Sequence, residues 1–259
     1  MAVKIMFGLQ KGGVGKTTST SVIGALLAMS GYKTLVIDMD SQGNSTQMLT
    51  QKNIYEFENH TVLEAIKEQN PQKYIYHAAE NLDLLPAEDS LITLTQYIYI
   101  SGIKEISKVL ANAMASIENQ YDYILVDCPP NLGEIVANSL VYADFAVIPV
   151  PADPFSMDAL DRFVEFIKQA KSEQHTKAEI LGIFFTQRNM RVTLEQDTAA
   201  NIRERYGDLV FKTEIRTRSK LKEFILDGIN PKKVADYEAL DDYLELTKEI
   251  VNRVQERQI

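Results

Sequence analysis

Several features that would assign this chain to other classes of protein are missing from its sequence. The 259 residues contain no tryptophan and a single cysteine, Cys128, so no disulfide can form within the chain. No apolar run approaches the roughly 18 residues that suggest a membrane-spanning helix. There is also no low-complexity tract and no block of like charges. The sequence therefore predicts a folded protein of a reducing compartment, with neither a disulfide framework nor a membrane span.

The length and the net charge of the chain indicate its domain organisation and limit the partners it can bind. A chain of this length suits one α/β domain, and we expect a single domain over residues 1–259 with no helix-turn-helix at its N-terminus. A glycine-rich stretch already begins near residue 10, which leaves no room for a signal peptide and indicates a cytoplasmic protein. The formal net charge of −9 disfavours nonspecific nucleic-acid binding by the molecule as a whole, although a local basic surface can override that sum.

The stretch from Gln10 to Thr18 carries the strongest signal. It follows an apolar, strand-like segment, residues 3–9, and precedes small and apolar residues at helical spacing, residues 19–30. Glycines in such a strand–loop–helix unit let backbone N–H groups turn inward around an anion, and the N-terminus of the helix adds its positive dipole. The loop therefore predicts a nucleoside triphosphate site.

Each residue type in the loop has a chemical reason to be there. Lys16 is expected to reach the β- and γ-phosphates, and the Thr17 hydroxyl to ligate Mg²⁺. The expected nucleotide contacts in the loop are consecutive: Lys11, Gly12, Gly13, Val14, Gly15, Lys16, Thr17 and Thr18. A nucleoside triphosphate and Mg²⁺ are thus the predicted ligands.

Two further buried-strand patterns end in aspartates. Residues 33–38 deliver Asp38 and, just beyond, Asp40, and residues 121–127 end in Asp127 before two prolines. In an open parallel sheet, ligands gather at the carboxyl ends of the strands, so these carboxylates should face the glycine loop, where they can position Mg²⁺ or the attacking water. The predicted fold is a mostly parallel twisted sheet with helices on both faces.

The string Lys-Gly-Gly-Val-Gly-Lys-Thr-Thr resembles the deviant Walker A motif of the ParA/MinD family of P-loop ATPases. Gln10 stands where the general motif has glycine, and Lys11 supplies the extra lysine. The resemblance implies that Lys11 crosses a dimer interface to the partner's nucleotide, that Asp40 activates water and that Asp127 supports the Mg²⁺. Ser41 departs from the family, which usually has proline there.

The same resemblance extends to the second half of the chain. It implies that Asn189 and Ile215 contact the nucleotide base and that Arg191 contacts DNA. Ile215-Arg216-Thr217 replaces the usual Ile-Pro-Arg, so the wall of the base site is where this chain departs most from its family.

A basic segment gives a candidate DNA surface. Residues 171–233 hold 13 Lys/Arg and 9 Asp/Glu, a local charge of +4 in a chain whose net charge is −9. Such asymmetry is typical of one-sided phosphate binding. The predicted DNA-binding residues of this segment are Arg191, Arg216, Arg218, Lys220 and Lys222. Ordinary solvated faces are the alternative interpretation.

The resemblance to the ParA/MinD family also implies a function for this chain. It implies a DNA-segregation ATPase that forms a homodimer on ATP, binds nonspecific DNA on the nucleoid and is released when a centromere-bound ParB-like partner protein stimulates hydrolysis. Two alternatives are a MinD-like membrane-cycling ATPase and a nucleotide-gated DNA-binding or co-repressor module with negligible hydrolysis. The acidic residues of the amphipathic segment 237–259 favour packing on the core over membrane binding. One cysteine cannot supply the two ligands per chain of a nitrogenase-iron-protein-like cluster.

Among the remaining elements, a capped helix is predicted from Thr61 and a long helix over residues 156–171. Helical periodicity also covers residues 102–119, and a final strand is predicted to begin at residues 209–211.

Overall fold

The computed structural model describes residues 1–173, 175–218, 221, 223, 224 and 234–258, with side chains of the last segment described for residues 240–257. Seven strands form one sheet in the order β3-β4-β2-β5-β1-β6-β7. Only β3 runs antiparallel to its neighbour among these strands. The strands are β1 Val3–Phe7, β2 Thr34–Asp38, β3 Tyr76–Ala79, β4 Leu82–Leu85, β5 Tyr123–Asp127, β6 Phe145–Pro151 and β7 Glu179–Thr186.

Helices cover both faces of this sheet, as the sequence predicts. The α-helices are α1 Lys16–Met29, α2 Asn44–Thr50, α3 Val62–Glu68, α4 Leu94–Ile100, α5 Val109–Met114, α6 Glu134–Tyr142, α7 Pro154–Ser172, α8 Thr193–Tyr206 and α9 Val234–Gln258. The start predicted at Thr61 is confirmed, because its hydroxyl accepts the Leu63 N–H while Glu64 reaches back to the Thr61 N–H as a capping box.

The sheet separates two apolar clusters because successive side chains of a strand point to opposite faces. On β1, Met6 belongs to the cluster beneath α3, α5, α6 and α7, whereas Ile5 and Phe7 belong to the cluster beneath α1 and α9. All three side chains are fully buried. Burial on both faces explains why the central strands read as continuous apolar runs rather than alternating ones.

Strand order brings the predicted site together. β1 lies beside β5, which lies beside β2, and all three are parallel. In register, Asp127 is paired with both Phe7 and Asp38 at the carboxyl ends of these strands. The glycine loop follows β1 directly, so the loop and the two acidic strand ends share one edge of the sheet.

The helix predicted over residues 102–119 is wrong in its extent. This segment forms a 3₁₀ turn at Ile106–Lys108, the short helix α5 and another 3₁₀ turn at Glu118–Gln120. The Asn138 side-chain oxygen of α6 accepts the N–H groups of Val109 and Leu110. Those N–H groups are therefore unavailable to carbonyls of a preceding helical turn, and α5 starts there.

The strand predicted at residues 209–211 is also wrong. The chain makes only isolated bridges beside β7, at Val210 and at Arg216, within the part of the chain that the structure describes. Between them, the Glu249 carboxylate of α9 accepts the backbone N–H groups of Lys212 and Thr213, at 2.9 and 3.1 Å. A side chain thus replaces the ladder partners that a continuous strand would need.

Helix α9 packs on the core, as expected from its acidic polar face. Its described apolar residues Leu240, Tyr243 and Leu246 are at most 2% exposed, and the Tyr243 hydroxyl hydrogen-bonds Ser19 of α1 at 2.9 Å. Among the described helices, none combines the length and apolarity needed to cross a membrane.

Replacing Gly182 of β7 by alanine tests this packing. A Cβ there would lie 2.4 Å from the Phe211 ring and 2.7 Å from the Arg253 guanidinium, so Gly182→Ala should lower the free energy of unfolding by about 1–3 kcal/mol. Urea denaturation measures this. The control is Gly133→Ala, where a Cβ meets nothing within 4 Å and a change within about 0.5 kcal/mol is expected. Equal stability of both variants would contradict the packing.

Candidate nucleotide site

The glycine loop joins β1 to α1 in the conformation that anion binding requires. Gly13 and Gly15 adopt positive φ of 71° and 84°, which L-residues with a Cβ rarely tolerate. Lys16 is 6% exposed, and its ammonium donates to the Lys11 carbonyl of the same loop at 2.9 Å. Burial lowers the pKa of Lys16, while Asp127 acts in the opposite direction. A buried ammonium at the start of a helix is a suitable partner for a polyanion.

Lys11 is engaged within its own chain. Its ammonium lies 2.7 Å and 2.9 Å from the two carboxylate oxygens of Asp153 and 2.9 Å from the Ser156 hydroxyl. Asp153 also caps α7 by accepting the N–H groups of Phe155 and Ser156. Burial would raise the pKa of Asp153, but the hydrogen bonds from Lys11 and Ser156 outweigh it and the pKa is lowered. Sequence reasoning missed Asp153, whose only local signal is that of a helix cap before proline.

Two fully buried carboxylates lie at the neighbouring strand ends. Asp38 accepts the backbone N–H and the hydroxyl of Thr46, both at 2.8 Å. Asp127 accepts the Ser45 hydroxyl at 2.8 Å, while its other oxygen is buried with no hydrogen-bond partner among the described residues. Burial raises the pKa of both carboxyl groups, and the charge of Asp127 raises that of Asp38 further. Thr17 is close enough to Asp127 to lower its pKa by hydrogen bonding.

Asp40 lies just beyond this buried pair, on the loop between β2 and α2. Its backbone N–H donates to Asp38 at 3.2 Å, and its carboxylate accepts the Gln42 N–H at 3.1 Å. It borders a depression of about 420 Å³ that Pro129, Pro130 and Ile92 also line. Asp40 therefore combines a fixed backbone with a half-buried side chain at the border of this depression. The structure places Lys16, Thr17 and Asp40 close enough to Asp127 to act on its pKa.

A cavity of about 460 Å³ adjoins the glycine loop on the side of α9. Of the two residues expected to contact the base, Ile215 lines this cavity and Asn189 does not. Gln187 is there instead, because its side-chain amide donates to the Gly13 carbonyl at 2.6 Å. The cavity residues come from four separate segments: Gly13, Gly15, Thr18, Thr186, Gln187, Ile215, Arg216, Thr217, Arg218, Leu221 and Tyr243. A larger open groove of about 690 Å³ lies away from the loop, between α9 and Lys212.

A buried ion-pair network holds the loop after β7. The Arg188 side chain is 2% exposed and contacts Glu214 at 2.8 Å and Glu195 at 3.2 Å. Arg203 binds the other oxygen of Glu214 at 2.9 Å. Arg191, by contrast, is exposed at the end of this loop. The network thus fixes the backbone from which Gln187 and Arg191 project.

Two of the predicted DNA-binding arginines share one carboxylate. Arg216 donates to Asp242 of α9 through its guanidinium and its backbone N–H, and the Arg218 guanidinium lies 3.8 Å from the same carboxylate. Burial would raise the pKa of Asp242, but hydrogen bonds from Arg216 outweigh it and the pKa is lowered. The cluster carries a net charge of about +1. Lys220 and Lys222 lie outside the described residues.

Together, a phosphate-type loop, a buried lysine and two acidic strand ends on a parallel sheet define a P-loop nucleotide-binding protein. A family profile described as an AAA domain matches residues 2–180. The chromosome-partitioning ATPase Soj of Treponema pallidum is 32% identical, with 98% of each chain covered. The sporulation initiation inhibitor Soj of Bacillus subtilis is 30% identical, covering 93% of this chain and 95% of the other.

Solved structures show the same fold. Apo McdA of Cyanothece superposes with a TM-score of 0.86 at 26% identity, covering 97% of this chain and all of the other. A plasmid partition protein of Borrelia burgdorferi, bound to AMPPNP, gives a TM-score of 0.78 at 23% identity, covering 99% of this chain and 100% of the other. The chain belongs to the ParA/Soj family of partition ATPases, and it hydrolyses ATP.

The Arg188 network predicts a pH-dependent stability. Glu214→Gln should lower the free energy of unfolding at pH 7 by about 3 kcal/mol, because the buried Arg188 guanidinium loses one of the carboxylates that neutralise it. Burial alone would raise the pKa of Glu214, but Arg188 and Arg203 lower it. The stabilisation by Glu214 is therefore present above the unfolded glutamate pKa of about 4.3 and is lost as the pH falls through the lowered folded value.

Urea denaturation between pH 3 and pH 7 measures this difference. The matched control is Glu245→Gln, since Glu245 is 64% exposed in its pair with Lys248; the expected change is below about 1 kcal/mol. A Glu214→Gln deficit that stayed constant down to pH 3 would contradict the electrostatic origin.

Proposed function

We propose that this partition ATPase is an ATP-dependent homodimer that binds DNA without sequence preference and is released from it by hydrolysis. A centromere-bound ParB-like partner protein stimulates that hydrolysis. The observation that carries the proposal is the loop with two lysines, Lys11 and Lys16, beside Asp127 at the end of β5 and Asp40 just after β2. One lysine is buried for phosphate binding in its own chain, and the other is near the surface.

Different groups of the chain bind the phosphates, orient the attacking water and hold the base. The N–H groups of Gly12 to Thr18 and the Lys16 ammonium bind the phosphates, where an oriented loop and a buried charge act in a low-dielectric setting. Asp40 orients the attacking water, which a carboxylate on a fixed backbone can do through a hydrogen bond. The base occupies the cavity lined by Gln187 and Ile215.

The residues at the site fit Mg²⁺, a feature of the proposal that rests on donor chemistry. The unpartnered oxygen of Asp127 and the Thr17 hydroxyl are hard oxygen donors at one place. The described residues contain no group of three or more His, Cys, Asp or Glu that could hold a metal by itself, and Mg²⁺ commonly takes its other ligands from phosphates and water. When bound, the ion neutralises charge on the phosphates. Asp40, whose charge acts on Asp127, contributes to this site through water.

Dimerisation gives Lys11 its second role. To reach the partner's nucleotide, its ammonium leaves Asp153 and Ser156, so an intrachain ion pair is exchanged for a contact with phosphate. There it stabilises charge that develops during transfer, as an arginine finger does. ATP then stabilises the dimer, and hydrolysis removes that stabilisation.

DNA binding is assigned to the loop after β7 and the segment that follows it. Arg191 is exposed, and the side chains of Arg216 and Arg218 are 53% and 29% exposed despite sharing Asp242. Lys220 and Lys222 belong to the same assignment by sequence. Each protomer offers a modest patch, and two patches in a dimer act together. Membrane cycling is not favoured, because the described apolar face of α9 is buried on the core.

Substituting Lys16 and Asp40 separates ATP binding from ATP hydrolysis. Lys16→Ala should abolish ATP binding, because it removes the buried ammonium that faces the phosphates. Asp40→Ala should retain ATP and accumulate as a dimer, because water is no longer oriented. Equilibrium binding, analytical ultracentrifugation with ATP or ADP, and phosphate release measure these outcomes. Full hydrolysis by Asp40→Ala would refute its assigned role.

The DNA assignment predicts a salt-dependent loss. With Asp40→Ala as the ATP-bound background, adding Arg191→Ala should weaken retention on nonspecific duplex DNA and reduce the slope of log K against log salt by about one per protomer. Dimerisation should be unchanged. The control is Arg205→Ala, which removes an arginine that is paired with Asp161 at 3.0 Å in the same basic segment. Equal DNA retention by all three proteins would contradict the role of Arg191.

A further inference from the structure

Arg216 is held unusually firmly for a half-exposed arginine. Its Nε lies 3.0 Å from both oxygens of Asp242, its Nη2 also contacts this carboxylate, and its backbone N–H donates to it at 3.1 Å. The Asp242 side chain is 10% exposed, whereas that of Arg216 is 53% exposed. The carboxylate therefore fixes one edge of the guanidinium while the rest of the group stays accessible.

The backbone on either side is equally fixed. The Ile215 N–H donates to Phe185 at 2.8 Å, and the Thr217 N–H donates to the Arg188 carbonyl at 3.0 Å. Arg188 is in turn held by the buried pair with Glu214. Hydrogen bonds on both sides therefore fix the backbone at Arg216, which lies beside the glycine loop.

The other residues that line the 460 Å³ cavity show why the position of Arg216 matters for a bound base. The described ones are aliphatic or small and polar, apart from Arg218 and Tyr243. The Tyr243 hydroxyl is tied to Ser19 and the residue is 2% exposed, so its ring has little free surface. A guanidinium is planar and weakly hydrated, and it stacks on aromatic faces when its donors are satisfied at the edge.

We propose that the Arg216 guanidinium, oriented by Asp242, stacks on the purine ring of the bound nucleotide and forms one face of the base site. This inference rests on the assignment of the base to this cavity, and it assigns Arg216 to the nucleotide rather than to DNA. Stacking uses the ring face rather than the hydrogen-bonding edge, so Arg216 strengthens the binding of any purine nucleotide. Asp242 is a positioning residue that acts through Arg216.

Direct calorimetric titration of the full chain tests the proposal with two probes, ATP and inorganic tripolyphosphate, both with Mg²⁺. Arg216→Ala should weaken ATP binding about tenfold, a loss of about 1.4 kcal/mol, and leave tripolyphosphate binding unchanged, since that ligand has no base. Arg216→Lys keeps the positive charge but lacks the planar guanidinium group, so it should behave like Arg216→Ala. Lys212→Ala, which removes a charge from the same segment and lines the other groove, should bind both probes normally.

Asp242→Asn completes the design. If Asp242 acts through Arg216, the double variant with Arg216→Ala should bind ATP no more weakly than Arg216→Ala alone. Equal losses for both probes would indicate a disturbed fold and overturn the proposal, as would full rescue by Arg216→Lys or unchanged ATP affinity in Arg216→Ala. Failure of the proposed DNA cycle would instead leave ATP affinity intact and abolish ATP-dependent retention on DNA, so the two failures are distinguishable.

Discussion

The structure depends on burying a lysine and two carboxyl groups together at the carboxyl ends of the central strands, where little water reaches them. Lys16 is 6% exposed, and Asp38 and Asp127 are fully buried at adjacent strand ends. Burial disfavours the charged form of each group, so the lysine pKa is lowered and the carboxyl pKa values are raised. The hydroxyls of Ser45 and Thr46 donate to the carboxylates and oppose this rise in pKa, whereas the charge of Asp127 adds to it at Asp38. A polyphosphate with a divalent cation is the ligand that balances such a set, which links stability of this edge to nucleotide binding.

The sequence predicted the parts of the fold that follow from local pattern. The apolar runs ending at Asp38 and Asp127 mark strands buried on both faces, and the glycine loop between a strand and a helix marks the phosphate site. Residues 102–119 and 209–211 were predicted wrongly because distant side chains decide their conformation. Asn138 takes the N–H groups at the start of α5, and Glu249 takes those of Lys212 and Thr213. No local periodicity reports a competitor that lies tens of residues away.

The same distinction separates the predicted site residues from those that sequence reasoning missed. Lys16, Thr17, Asp40 and Asp127 are brought together by the order of parallel strands, which the pattern indicates. Asp153 and Asp242 have no motif of their own, and their importance appears only through contacts with Lys11 and Arg216 across 142 and 26 residues of sequence. The arginine at position 216 shows what a departure from a family pattern can contribute, because its backbone N–H makes a hydrogen bond that proline could not.

The two margins of the sheet limit how copies of this chain can assemble. At one margin, β3 is a four-residue strand of reversed direction with a register irregularity. At the other, the chain around Val210 and Arg216 lies along β7 and occupies positions on its outer side. Short or covered borders disfavour the strand-to-strand addition that builds continuous intermolecular sheets. The two border strands are therefore poor templates for a further strand, which leaves loop and helix surfaces for contacts between copies of this chain.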